Sequence, residues 1–270
     1  MKKFILIIVV GCSLNLFCQQ RLNLDYLASK YTLSSFEEFK ELLSIPNDAN
    51  DKIGIGQNIG WAEEEFGKRG FKVSKIITLG LPLLLAKRDF TTKGKTVLIY
   101  LQMDGQPVDP SKWNQENPYS PVLKKKNSLG DWETINWKEI YGYNDDWRIF
   151  ARSSSDAKGP VSMFLAAIDA IDENGISPNF NIKVILDFEE EMGSPNLPDA
   201  VKKNRELLTS DVLIILDGPR HRLNKPTLTF GARGIATIQL TTYGPIVPQH
   251  SGHFGNYVPN PALRLSKILA

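Results

Sequence analysis

The chain has 270 residues, 42% of them hydrophobic and 23% charged, with a net charge of +2 at pH 7. That is enough apolar material for a sizeable core in one or two domains. The near-balanced, interspersed charge argues against a nucleic-acid partner, and past the N-terminus no apolar run is long enough to span a bilayer.

In chain order, Lys2-Lys3 precede an apolar stretch over residues 4–10 that continues weakly to Phe17, and Gln19-Gln20-Arg21 turns polar. This is the layout of a secretory signal over residues 1–18, so an exported protein, periplasmic or secreted, is expected. Cleavage after Cys18 is the favoured exit. Val9-Val10-Gly11-Cys12 offers a second, with lipid on Cys12 as the one route to a membrane, and a buried N-terminal helix or strand is the bland alternative. Both cysteines lie in this segment, so a chain cut after Cys18 has neither a disulfide framework nor a thiolate metal site.

Residues 36–43 carry apolar side chains at helical spacing and Pro46 ends that pattern. A second helix is expected over 57–68, with Ile59, Ala62 and Phe66 on one face, followed by paired strands at 71–77 and 82–87. The runs 97–101, 182–186 and 212–216 are short and rich in branched apolar residues, and read as strands buried on both faces, as in a parallel α/β sheet. Between the first two lies a Trp- and Pro-rich excursion, 108–150, with no clean period and a basic triplet, Lys124-Lys125-Lys126, read as solvated loop. Loops that long inside a domain are usually functional or mobile. Asp156 opens an amphipathic helix in which Val161, Phe164, Leu165, Ile168 and Ile171 share a face and Gly175 closes the end. From Gly234 the texture changes: residues 235–240 alternate with period 2, the mark of a strand with one solvated face. A domain boundary is expected near Arg233.

Each of the three strand-like runs leads to carboxylates: Asp104, then Glu189-Glu190-Glu191, then Asp217. Ligands of open α/β sheets bind outside the carboxyl ends of such strands. Acids gathered there repel one another, and a divalent cation with oxygen ligands relieves that. Taken alone, Asp156 reads as a helix cap and the glutamates as a solvated acidic loop. The four positions together, on an α/β frame, point to a metal site. They lack the alternating spacing of a calcium loop.

These residues resemble those of the M20 metallopeptidases over roughly residues 36–270. The resemblance rests on five segments: 102–110 with Trp113; 152–159; 190–197; Asp217-Gly218; and His250-Ser251-Gly252-His253-Phe254-Gly255. The Gln-Pro-Val-Asp-Pro stretch, Trp113 and Pro118-Tyr119 look most like the dipeptidase branch. The resemblance implies an α/β/α catalytic domain over 19–233, with a mostly parallel sheet, and the start of an inserted α+β lid and dimerisation domain over 234–270. It further implies a hydrolase using up to two divalent ions, zinc first, with manganese or cobalt as alternatives. By the same resemblance Asp156 bridges the metals, Glu191 binds one and Asp217 the other, and Glu190 is the general base. Asp104 orients a ligand from behind, and His250 reaches into a partner subunit's site to stabilise the oxyanion. His221 and His253 are assigned to surface. Short peptides or acylated amino acids are the expected substrates and a homodimer through the lid the expected assembly. An N-acyl-amino-acid deacylase and a non-catalytic binding relative are the competing readings.

The chain departs from that pattern twice. Gln102 stands where the family has a histidine metal ligand; a glutamine carbonyl is a neutral donor, weaker than imidazole for zinc and better suited to harder ions, so that metal position is expected to be weak, filled by another ion such as manganese, or empty. The sequence also stops at Ala270, inside the expected lid, so the rest of the lid and a further histidine ligand are expected beyond it.

Overall fold

The computed structural model describes residues 23–218, 221–223 and 225–270; the leader read at 1–18 lies outside them. The chain divides into two compact units, one ending at Gly218 and one starting at Pro219, earlier than the boundary placed near Arg233.

In the first unit, α1 (Leu24–Ser44) starts on the Asn23 side chain, which accepts a hydrogen bond from the Tyr26 N–H, and buries Leu27, Tyr31, Phe39, Leu42 and Leu43. It runs well upstream of the helix expected at 36–43. α2 (Lys52–Lys68) is capped by Asp51, which accepts from Ile53 and Gly54, satisfying donors that a helix start leaves free. Gly54 is required by crowding: a Cβ there would lie 2.5 Å from the Pro46 carbonyl oxygen. Then come β1 (Lys72–Ile76), β2 (Leu83–Arg88) and β3 (Lys95–Gln102).

The excursion at 108–150 is not structureless. It folds β4 (Val122–Lys126), β5 (Trp132–Ile135) and β6 (Arg148–Phe150) into a separate antiparallel sheet of order β5-β4-β6. The basic triplet is therefore a strand: Lys124 is buried with its ammonium 4.6 Å from the Phe150 ring centroid, a favourable cation–π contact. After it follow α3 (Lys158–Glu173), β7 (Phe180–Asp187), α4 (Leu197–Lys203), α5 (Arg205–Leu208) and β8 (Val212–Ile215).

The main sheet has the order β1-β2-β7-β3-β8. β1 and β2 run antiparallel at one edge, while β7, β3 and β8 are parallel, giving the expected α/β class. On one face α2 and α3 supply Ile55, Ile59, Phe66, Val161, Phe164 and Leu165 against Leu84, Ile99, Leu101 and Val184. The Phe66 and Phe164 rings stack at 5.8 Å and Phe71 meets Phe66 edge-on at 5.4 Å, geometries that aromatic quadrupoles favour. On the other face Leu83, Leu85 and Ile185 pack with Ala200 of α4 and Leu208 of α5. Arg69, just past α2, donates to Glu38 of α1, Glu65 of α2 and Asp169 of α3 at 2.7–2.9 Å, so one guanidinium fastens three helices.

The second unit holds α6 (Ser251–Phe254) and α7 (Pro261–Leu269). Residues 235–240 form no strand: their period-2 pattern is present, but among the described residues no strand pairs with it.

β8 departs from the reading of a strand buried on both faces. Its four residues are 45%, 57%, 40% and 57% exposed in order, and it is an edge bonded only to β3. Exposed apolar edges template association. The 270-residue chain produced on its own is therefore expected to self-associate. Leu213→Lys with Ile215→Lys, on one face of β8, should shift it toward monomer in sedimentation velocity; an unmodified chain that sediments as a clean monomer would contradict this.

Candidate metal centre

Parallel register sets the site. β3 pairs with β7 so that Gln102 stands opposite Asp187, and with β8 so that Tyr100 stands opposite Ile215, with Leu216 donating to the Tyr100 carbonyl. Continuing both ladders past the strand ends brings Asp104, the 189–191 glutamates and Asp217 to the same edge of the sheet, where ligands of such sheets collect.

Asp104 is almost fully buried, at 1% exposure. Its Oδ2 accepts from the Glu191 N–H at 3.0 Å, which ties the end of β3 to the acidic loop, and its Oδ1 is buried without a partner. Burial pushes its carboxyl up to about 7, against the pull of the Glu191 and Glu190 backbone N–H groups. Glu190 and Glu191 lie in a short 3-10 turn (Glu190–Met192) closed by Gly193 at φ +81°, a left-handed conformation that suits glycine. Burial raises the Glu190 carboxyl first, and the negative charges of Glu191, Asp217, Asp156 and Asp187 raise it further. Gln106 donates its side-chain amide to the Glu191 carboxylate.

Asp156 precedes α3 but does not cap it. The N-cap is Ala157, with no side-chain hydrogen bond, and the Asp156–Ala157 peptide is cis. The Asp156 side chain is exposed, so the alternative reading as a cap is removed and the carboxylate is left available. His250 lies in the second unit, where its Nδ1 accepts from the Gly252 N–H at 3.1 Å as the cap of α6. His221 and His253 are exposed, as assigned.

Sequence reading missed the side chains that hold these acids in place. Asp187, the last residue of β7, is buried. Its Oδ2 accepts from Tyr100 Oη at 2.9 Å and Ser194 Oγ at 2.7 Å, and its Oδ1 accepts from the Glu189 N–H at 3.0 Å. It thereby pins both ends of the glutamate loop. The available signal was an acid ending an apolar run, the same feature that drew attention to Asp217. Asn47, fully buried, donates to the Met103 carbonyl and to Ser153 Oγ, each at 2.9 Å, while its own carbonyl receives the Gly105 N–H. It clips the Asp104 segment to the segment leading into Asp156. A Cβ on Gly105 would come within 2.3 Å of Ser153 Oγ, so only glycine fits that approach. Lys158 is buried and donates to the Leu42 and Ile45 carbonyls at 2.8 and 2.6 Å, with burial pushing its amine down to about 7. No sequence pattern marks Asn47 or Lys158.

Among the described residues, no three His, Cys, Asp or Glu side chains converge tightly enough to hold a metal ion as they stand. The chemistry of the donors nevertheless fits a divalent cation. Asp104 Oδ1 and Gln102 Oε1 are buried acceptors with no donor, and Glu190 feels the negative charges of Glu191, Asp217, Asp156 and Asp187. The residues present would hold an ion through Asp156, Glu191 and Asp217.

Comparison with known proteins agrees. Residues 98–251 match the profile of peptidase family M20/M25/M40. The chain is 36% identical over 243 residues to a cysteinylglycine-S-conjugate dipeptidase of Corynebacterium striatum, covering 87% of this chain and 48% of that protein. It is 29% identical over 191 residues to a Cys-Gly metallodipeptidase of Schizosaccharomyces pombe, covering 70% and 36%. Among solved structures, an M20 family metallo-carboxypeptidase from Sulfolobus solfataricus superposes with a TM-score of 0.65 at 27% identity, over 87% of this chain and 49% of that one. The chain thus spans about half the length, or less, of the relatives it matches. The expectation of export, periplasmic, secreted or lipid-anchored at Cys12, is corrected. It rested on residues 1–18 alone, outside the described residues, and the Cys-Gly metallodipeptidases matched by the rest of the chain lend it no support.

The raised carboxyls have a consequence for stability. An acid whose pKa is higher in the folded than in the unfolded chain stabilises the fold at low pH and loses that contribution as pH climbs through the folded value. Asp104 places this window between about 4 and about 7, and Glu190 acts in the same direction. In chelator, the melting temperature is expected to fall from pH 5 to pH 7, below the range in which the lowered Lys158 amine adds stability as pH rises, and a saturating divalent ion should restore more of it at pH 7 than at pH 5. A melting temperature higher at pH 7 than at pH 5 in chelator would contradict the assignment.

Proposed function

The chain belongs to peptidase family M20/M25/M40, and we propose that it carries the metal-binding and proton-transfer groups of a metallodipeptidase that hydrolyses the amide bond of short peptides. The observation that carries the reading is Glu190, its carboxyl raised by burial first and then by the charges of Glu191, Asp217, Asp156 and Asp187. A base whose pKa is lifted toward the operating pH is suited to accept a proton and give it back.

Asp156, Glu191 and Asp217 would hold the ion, with Gln102 at the edge of the set. When bound, a divalent ion acidifies a water molecule and polarises the scissile carbonyl. The rest is done by the chain. Glu190 takes the proton of the attacking water on its carboxylate and delivers it to the leaving amine nitrogen. Asp104 orients the loop: its Oδ2 holds the Glu191 N–H, fixing the residue beside the base, as partners behind metal ligands commonly do. Asp187 and Ser194 keep that loop from swinging. His250 would add a donor to the developing oxyanion in the partner's site, within a homodimer formed through the lid. Cys-Gly-like dipeptides are the first substrates to try, because the relatives' names specify them.

In the full-length protein, Glu190→Gln is expected to lower kcat for a dipeptide about a thousandfold while leaving metal content unchanged. The check is steady-state kinetics beside metal analysis on the same sample. Retained turnover in metal-loaded Glu190→Gln would overturn the role, and turnover of N-acetyl amino acids without dipeptides would replace the peptidase with a deacylase.

A further inference from the structure

The donors that residues 23–218 bring to the sheet edge are oxygens. The three histidines are 221, 250 and 253 and the two cysteines are 12 and 18; none falls within residues 23–218, which form every strand end described above. Imidazole and thiolate are the groups by which proteins favour zinc, whereas carboxylate and carbonyl oxygens suit manganese, magnesium and calcium.

Gln102 is the member of the set whose chemistry is least explained by the fold. It closes β3, stands opposite Asp187, and is 4% exposed. Its Oε1 is buried and accepts from nothing. Two positions on, Asp104 presents a second buried oxygen, Oδ1, equally without a donor, its Oδ2 being taken by the Glu191 N–H. The side chains that end these strands are acids, which as carboxylates accept hydrogen bonds and do not donate them. When these acids are ionised, a cation is a partner that satisfies a carbonyl in such surroundings, and a carbonyl is the form in which an amide binds one.

We propose that Gln102 Oε1 is a metal ligand and that the position it serves is a hard-cation site, selective for manganese(II)-like ions over zinc by comparison with the same site bearing histidine. This rests on the metal centre read above, but goes beyond it by assigning a ligand and a preference of ion. Absolute affinities rise from manganese to zinc at most sites whatever the ligand, so the quantity that reports the preference is the ratio of zinc to manganese affinity and how residue 102 changes it.

The experiment uses the full-length protein stripped of metal. Manganese(II) binding is measured by calorimetry and by electron paramagnetic resonance, and zinc(II) by competition with a chromophoric chelator, for the wild type, Gln102→His and Gln102→Met. Gln102→Met keeps the volume and removes the carbonyl, and melting curves establish that each variant is folded. Gln102→Met is expected to weaken manganese binding about tenfold or more, and Gln102→His to raise the zinc-to-manganese affinity ratio by at least about tenfold. Manganese affinity indifferent to Gln102→Met, or a ratio unmoved by Gln102→His, would overturn the assignment while leaving the metallodipeptidase reading in place. Absence of saturable binding by either ion would overturn both. Should Gln102→Met fail to fold, Gln102→Glu, which keeps the oxygen and adds charge, is expected to tighten manganese binding, and unchanged affinity there counts against the proposal.

Discussion

Repulsion among carboxylates is the constraint on which the molecule turns. Parallel register carries Asp104, Glu190, Glu191 and Asp217 to one edge of the sheet, with Asp187 beneath them. Burial disfavours ionisation first and the neighbouring negative charges add to it, which is why both Asp104 and Glu190 are raised. Two features follow. The acids need a counter-charge to be ionised together, and they need a rigid frame to be gathered at all. On the proposed function a cation meets the first need; the second accounts for much of the hydrogen bonding around the acids.

That frame is built from buried side chains bonded to the loops that carry the acids. Asp187 fastens Glu189 and Ser194 at the two ends of the base-bearing turn and reaches Tyr100 on the neighbouring strand. Asn47, in the bend between α1 and α2, spans Met103 and Ser153, and Lys158 draws the start of α3 onto the end of α1. The bend after α1 is thus the keel of the site: it is bonded to the segment carrying Asp104 and to the segment carrying Asp156. Buried polar groups of this kind are costly when unpaired and specific when fully paired, so the fold fixes these two loops by satisfaction of polar groups more than by apolar packing.

How much of this was legible depended on whether a residue announces itself locally. The strands β3 and β7 and the face of α3 follow from apolar runs and helical spacing, since burial writes those patterns directly. The acids at the strand ends follow from their position after such runs. The sheet β5-β4-β6 did not, because its strands are three to five residues long and its lysines and tryptophans pack across cation–π contacts that leave no alternation to read. Residues 235–240 erred the other way: alternation marks a face to bury, but a strand exists only where a neighbour supplies the ladder. Asn47 and Lys158 were invisible because their partners are backbone carbonyls and a serine far away in the chain, and a long-range hydrogen bond has no sequence period.

Support is unevenly shared among the strands that lead to the acids. β7 is covered on both faces, with Val184, Ile185 and Leu186 buried, so the glutamate turn grows from the best-packed strand of the sheet. β8, by contrast, is held through its backbone ladder to β3, from Val97–Val212 to Tyr100–Ile215, with its side chains largely in solvent. Asp217 hangs two residues past the end of that strand. A ligand on a weakly packed edge opens locally at lower cost than one on a buried strand. On the proposed function, the closing of the ligand set is therefore coupled to the packing of β8: whatever rigidifies that edge would also fix Asp217 against Asp156, and an ion bound across the two acids would rigidify the edge in return.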